Sequence, residues 1–103
     1  MNPKKFSYKN IDGNHWPDAN VGDELYYALD LDCWLNSEND TVVGFRWEVP
    51  EGVERLDDFV LDNQANIKLK TITIGTFKIL GYLTSAELGF EQINAIPTML
   101  KVY

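Results

Sequence analysis

The chain has 103 residues, 45% of them apolar and 24% charged, the size and balance of one domain (1–103) able to bury a core without metal or disulfide. Nine Lys and Arg against 16 Asp and Glu give a formal charge of -7, and a field of that sign repels phosphate; direct nucleic-acid binding is excluded unless a basic patch exists. Lys4-Lys5 and Lys68/Lys70 are too few to make one.

Cys33 is the only cysteine, so no intramolecular disulfide can form and nothing marks an oxidising compartment. No apolar stretch follows Lys4-Lys5 as it would in a signal peptide, and no segment approaches the roughly 18 apolar residues of a membrane span. The expectation is a protein made in a cytoplasm, not secreted by a signal peptide, with no membrane partner.

In chain order, Phe6 to Tyr8 reads as a short first strand, and His15 and Trp16 as a loop ahead of Pro17. From Leu25 to Leu35 the residues alternate strictly. Leu25, Tyr27, Leu29, Leu31, Cys33 and Leu35 are expected to face inward, opposite Tyr26, Ala28, Asp30, Asp32 and Trp34. Asn36 to Asp40 supplies turn formers. Thr41 to Val49 alternates again, with Val43, Phe45, Trp47 and Val49 inward, and Pro50-Glu51-Gly52 stops it.

Val53 to Asp62 fits either a short strand around Val60 or a helical turn at Asp57-Asp58. Asn66 to Lys70 sets Ile67 and Leu69 against Lys68 and Lys70, and Phe77 to Thr84 turns Phe77, Ile79, Gly81 and Leu83 inward. Phe90 to Tyr103 is β-branched and aromatic but carries Pro97, which predicts an edge strand with a bulge. About seven antiparallel strands separated by turns predict an all-β sandwich, with a jelly roll or small barrel as the competing architectures.

The order of Cys33, Trp47 and Gly75-Thr76-Phe77-Lys78-Ile79 resembles the immunoglobulin core, in which two cysteines flank a buried tryptophan and a tyrosine opens the sixth strand. Ile79 stands where the second cysteine would be, and Phe77 lacks the corner hydroxyl. The expectation is an Ig-like β-sandwich with no disulfide, centred on Cys33, Trp47, Phe77 and Ile79.

Pro17 to Leu35 with Asp23, Leu25, Tyr27 and Asp30, then Thr41 to Trp47, Val49-Pro50-Glu51-Gly52-Val53 and the glycine-threonine-aromatic start at Gly75, resembles small Ig-like virion structural proteins of tailed bacteriophages. The resemblance spans most of the chain and departs at Ala86 to Pro97, which is longer and less polar than the usual final hairpin. It implies a non-enzymatic module of the tail or fibre adaptor or decoration type. Such a module sits in the virion, bound to other virion or assembly proteins and oligomeric only through that assembly.

Signals for chemistry are sparse. Asp30 and Asp32, about 7 Å apart on one strand face, fall within a carboxylate-pair range, but cross-strand pairing with Lys68 and Lys70 would account for all four residues. His15 stands alone, without the spacing of a zinc site, and Asp12, Asp18, Asp23 and Glu24 lack the alternation of a calcium loop. Cys33 on an inward face would be a poor nucleophile, and no Gly-rich phosphate loop is present. No catalytic residue, metal ligand or cofactor is assigned. The candidate contact residues are the aromatics expected outside the core, Trp16, Tyr26, Trp34 and Tyr82, for a protein partner or, alternatively, for the flat face of a glycan in a carbohydrate-binding module.

Overall fold

The alternating segments fold into strands in a computed structural model that describes the backbone of residues 4–6 and, in full, residues 15–35 and 37–103. The strands are β1 (Lys4–Phe6), β2 (Glu24–Asp30), β3 (Val42–Glu48), β4 (Val53–Leu61), β5 (Gln64–Thr71), β6 (Gly75–Ser85) and β7 (Ile96–Val102). Tyr8, expected to end a short first strand, Asn36, expected to open a turn, and the loop carboxylate Asp12 lie outside the described residues.

One sheet has the order β1-β2-β5-β4 and the other β3-β6-β7. Pairing is antiparallel throughout β2 to β7, and β1 joins β2 in parallel. This is the four-plus-three arrangement of a constant-type immunoglobulin domain, so the chain is an all-β, Ig-like sandwich without a disulfide.

The two sheets enclose one apolar cluster. Leu29, Ile67, Leu69, Ile79, Leu83 and Leu100 are fully buried in it. Its aromatic centre differs from the expected one. Trp16, expected in an exposed loop, is only 3% exposed; it stacks on Tyr27 with centroids 4.9 Å apart and lies 5.7 Å from Trp47. Its indole N–H donates to the Ala28 carbonyl at 3.1 Å. The cause is long-range: the segment carrying Trp16 runs parallel to β7, with backbone bonds from Trp16 to Met99, Ala19 to Lys101 and Val21 to Tyr103.

Those bonds also explain why Pro97 needs no bulge. The β6–β7 register runs unbroken from Gly75↔Val102 to Gly81↔Ile96. The carbonyls of Met99, Lys101 and Tyr103 point away from β6, and by alternation so does the nitrogen of Pro97, where its missing N–H takes nothing from the ladder.

Cys33 is the second correction. The ladder ends at Asp30, whose carboxylate accepts the Asp32 N–H at 3.1 Å, and Asp32–Trp34 form a 3-10 turn that leaves Cys33 exposed. The apparent alternation through Leu31, Cys33 and Leu35 therefore joins a strand to a turn. The register also separates the supposed ion pairs: Asp30 faces Gln64, whereas Lys68 faces Tyr26 and Lys70 faces Glu24.

In β3 the register shifts between Val42 and Gly44, so Val42 packs on the core and Val43 is 62% exposed, the reverse of the expectation; Phe45 and Trp47 do face inward. The open stretch is β4, a nine-residue edge strand with its own bulge between Arg55 and Asp57. Asp62 and Asn63, at φ 51° and 61°, form the two-residue turn into β5.

Burial pushes the Tyr27 phenol up to about 12. Because the folded-state value is raised, stability from this group is full below the ordinary value of 10.0 and is lost as pH rises from there toward 12. Chemical denaturation from about pH 9 to about pH 12 should show this decline, and Tyr27→Phe should flatten it.

Candidate binding surface

The four sequence-selected aromatics do not meet on one surface. Trp16 is in the core. Trp34, in the 3-10 turn, is half-buried against the core, and its indole nitrogen is enclosed. Tyr26 and Tyr82 do face outward, but from different sheets.

Both tyrosines are engaged. The Tyr26 hydroxyl donates to Asp57 at 3.1 Å, its ring meets Phe59 edge-on at 6.2 Å, and the Lys68 ammonium sits 5.5 Å from the ring centroid. The hydrogen bond to Asp57 raises its pKa. The Tyr82 hydroxyl donates to Glu48 at 3.0 Å, which raises its pKa in the same way, and the Arg46 guanidinium lies 4.2 Å over its ring. Each ring thus already has a cation on one side.

The more organised surface is the end of the sandwich where β2, β4 and β6 finish. Three connections gather there: 31–41 after β2, the Asp62-Asn63 turn after β4, and 86–95 after β6. Asn63 ties the first two together: its carbonyl accepts the Leu31 N–H and its Oδ1 accepts the Val42 N–H, both at 3.0 Å. Asp40, 2% exposed, ties the first to the third, since its Oδ1 accepts the N–H groups of Thr41 and Glu87 at 2.9 Å each. The Ala86 N–H donates to the Thr41 carbonyl at 2.8 Å, and the Ser37 hydroxyl donates to Glu87.

The 86–95 connection is also fastened to its own sheet. Gly89 N–H donates to the Ser85 carbonyl at 2.9 Å and Gln92 N–H to the Leu83 carbonyl at 2.8 Å. Arg46 grips Glu91 with both arms, at 3.0 and 2.9 Å, and reaches Glu48 at 3.3 Å. The paired guanidinium holds the Glu91 carboxyl below its usual range.

On this fastened frame Leu61 and Phe90 are each 60% exposed and Ile93 is 91% exposed. Apolar side chains held in water on connections that are themselves ordered are the usual mark of a contact surface. Sequence reasoning missed all three: Leu61 fell in the undecided Val53 to Asp62 stretch, and Phe90 and Ile93 in a segment read as an edge strand. The one available signal was the departure at Ala86 to Pro97, a long, weakly polar connection.

Carboxylates Asp30, Asp32 and Asp62 line a shallow recess of about 250 Å³ with Leu61 and Gln64. Its lining holds three carboxylates and no basic side chain, and the Asp30 carboxylate is engaged by the Asp32 N–H. Among the described residues no three metal-ligating side chains converge.

Asn63 supports this end in two ways, and substitution separates them. Asn63→Gly keeps the left-handed turn and removes only the side-chain bond, for an expected loss of about 1 kcal/mol. Asn63→Ala adds the strain of φ 61°, for about 2 kcal/mol in total by urea denaturation.

No family model matches the chain, and no curated protein matches it. Solved structures do. The crystal structure of EhICP2, a cysteine protease inhibitor from Entamoeba histolytica, superposes with a TM-score of 0.58 at 16% identity, covering 96% of this chain and 93% of that one. A PKD domain from the KIAA 1837 protein gives a TM-score of 0.48 at 14% identity over 87% and 82% of the two chains. At such identities the likeness to the inhibitor is one of fold: the chain shares its β-sandwich over nearly the whole length of both proteins.

Proposed function

We propose that this chain is a non-enzymatic module that docks onto a protein partner through the three-connection end of the sandwich. The observation that carries the reading is the exposure of Leu61, at the end of β4, and of Phe90 and Ile93, on the 86–95 connection, at an end fastened by Asn63, Asp40 and Arg46. Fastening spares the ordering entropy that a loose loop would lose on binding, so modest apolar contacts suffice. The setting we propose is a larger assembly, a phage virion, on the strength of the sequence motifs from Pro17 to Gly75.

A photo-crosslinking side chain placed at Phe90 or Ile93 in the native host should capture one discrete protein. The same group at Lys78, on the outer face of β6, should not. Equal labelling from all three positions would overturn the contact surface. The virion setting is tested separately: the chain should be present at fixed stoichiometry in purified particles, and its absence from them refutes that setting.

A second reading keeps the surface and changes the partner. The fold neighbour's stated role makes a cysteine peptidase a candidate, and a pre-ordered end carrying Phe90 suits a cleft better than a flexible one would. Titration against a panel of cysteine peptidases decides it: stoichiometric inhibition lost on Phe90→Ala supports this reading, and no inhibition rejects it. The glycan alternative is disfavoured by the engaged rings of Tyr26 and Tyr82; glycan binding abolished by Trp34→Ala would reinstate it.

A further inference from the structure

The 86–95 connection is held at two points, and the holds differ in kind. Its first half is tied by short-range bonds, Leu88 N–H to the Ser85 hydroxyl and Gly89 N–H to the Ser85 carbonyl, and by Asp40 across the end. Its second half has an isolated bridge, Glu91 to Thr84, the adjoining Gln92 bond, and the grip of Arg46 from β3. Phe90 sits between the two holds, and Ile93 follows the second.

We infer that Arg46 is the positioning residue of the contact surface, latching the second half of the 86–95 connection to the sheet and so fixing where Phe90 and Ile93 stand. The inference rests on the docking reading above. Single exposed ion pairs hold little, but this one has the features that raise the value: a two-armed guanidinium–carboxylate bond, a second carboxylate at Glu48, and a guanidinium carbon 4.2 Å from the ring centroid of Tyr82, which itself bonds Glu48. The four groups form one closed network on the outer face of the β3–β6 pair. Arg46 and Tyr82 are cross-strand partners, so the ring is already in place beneath the guanidinium.

Planarity is what the latch needs. Lysine keeps the charge but cannot bond both oxygens of Glu91 in one plane or lie flat on a ring, so Arg46→Lys should hold the connection only partly. Glu91→Gln removes the other half of the pair and should reproduce the loss at Arg46. Because the network is half-exposed, raised salt should weaken it in the native chain and have less effect once Arg46 is gone.

Amide hydrogen exchange by NMR reads the latch directly, with Gln92 as reporter and Gly89, held independently, as internal control. Arg46→Met should accelerate Gln92 exchange about tenfold while Gly89 and the core strands are unchanged, with Arg46→Lys between. Unchanged Gln92 exchange in Arg46→Met, or equal acceleration of Gly89, overturns the latch. Photo-crosslinking from position 90 then reads the positioning: its yield should fall in Arg46→Met and recover partly in Arg46→Lys. A loosened connection with undiminished cross-linking overturns the positioning role and leaves the contact surface standing. No cross-link from position 90 in the otherwise native chain overturns the docking reading and with it the positioning role, while Gln92 exchange still decides whether Arg46 holds the connection.

Discussion

Trp16→Ala is expected to lower stability by about 3–5 kcal/mol, a large part of what a domain of this size has. Three losses combine at this site. The indole is 3% exposed, so its removal leaves a cavity between the sheets; its stack on Tyr27 and its contact with Trp47 go with it; and the Ala28 carbonyl loses its N–H partner. Equilibrium urea denaturation followed by near-ultraviolet circular dichroism should show a large fall in midpoint. Trp16→Phe should recover much of the packing but not the hydrogen bond. Cys33→Ser is the informative contrast, because the exposed thiol packs on nothing in the core and the change should stay within about 0.5 kcal/mol. Were the two substitutions to have equal effects, the placement of Trp16 in the core would be wrong.

The second large effect is expected at Gly81. This residue is buried in the middle of β6, opposite Trp47, and the ring of Phe45 lies across its backbone where a side chain would otherwise stand. A Cβ at Gly81 would run into the Phe45 ring, which cannot simply turn aside because it is packed edge-on against Trp47 with centroids 4.7 Å apart. Glycine inside a strand ordinarily weakens it, and an aromatic ring laid over the glycine restores the missing cover. Gly81→Ala should therefore cost about 3 kcal/mol, at the upper end for overpacking. The diagnosis is checked by a double-mutant cycle: in a Phe45→Leu background the same substitution should cost much less, and simple additivity would rule out the ring as the cause.

The Gly81 site also bears on the proposed contact surface. Trp47 and Phe45 lie on β3, whose outer face carries Arg46 and Glu48. The core and the latch thus share one strand, with the aromatic face turned in and the charged face turned toward the 86–95 connection. A strand displaced by overpacking at Gly81 would move the Arg46 grip along with it.

Legibility followed the range of the interactions. The amphipathic strands could be read directly: Ile67 and Leu69 are fully buried opposite Lys68 and Lys70, and Ile79, Gly81 and Leu83 line the inner face of β6. β4 could not, since its place at the sheet edge leaves seven of its nine residues exposed and erases the pattern that burial imposes on a central strand. The turn that would have marked it, Asp62-Asn63, was present as two residues tolerant of the left-handed conformation.

What the sequence by itself determined, then, is an all-β chain with an acidic balance and no intramolecular disulfide, because period-2 alternation, turn residues, charge and cysteine count are local properties; the Ig order rested on a resemblance whose Cys33 lies outside the core, and the strand order supplies it instead. The contents of the core and the location of the contact surface were decided by tertiary structure. Trp16 is buried because its segment bonds to β7, more than 80 residues away, and Cys33 is exposed because the ladder stops at Asp30. Leu61, Phe90 and Ile93 become one candidate surface because the topology brings three connections to the same end. Each depends on which strands lie side by side, and no alternation within a single segment carries that information.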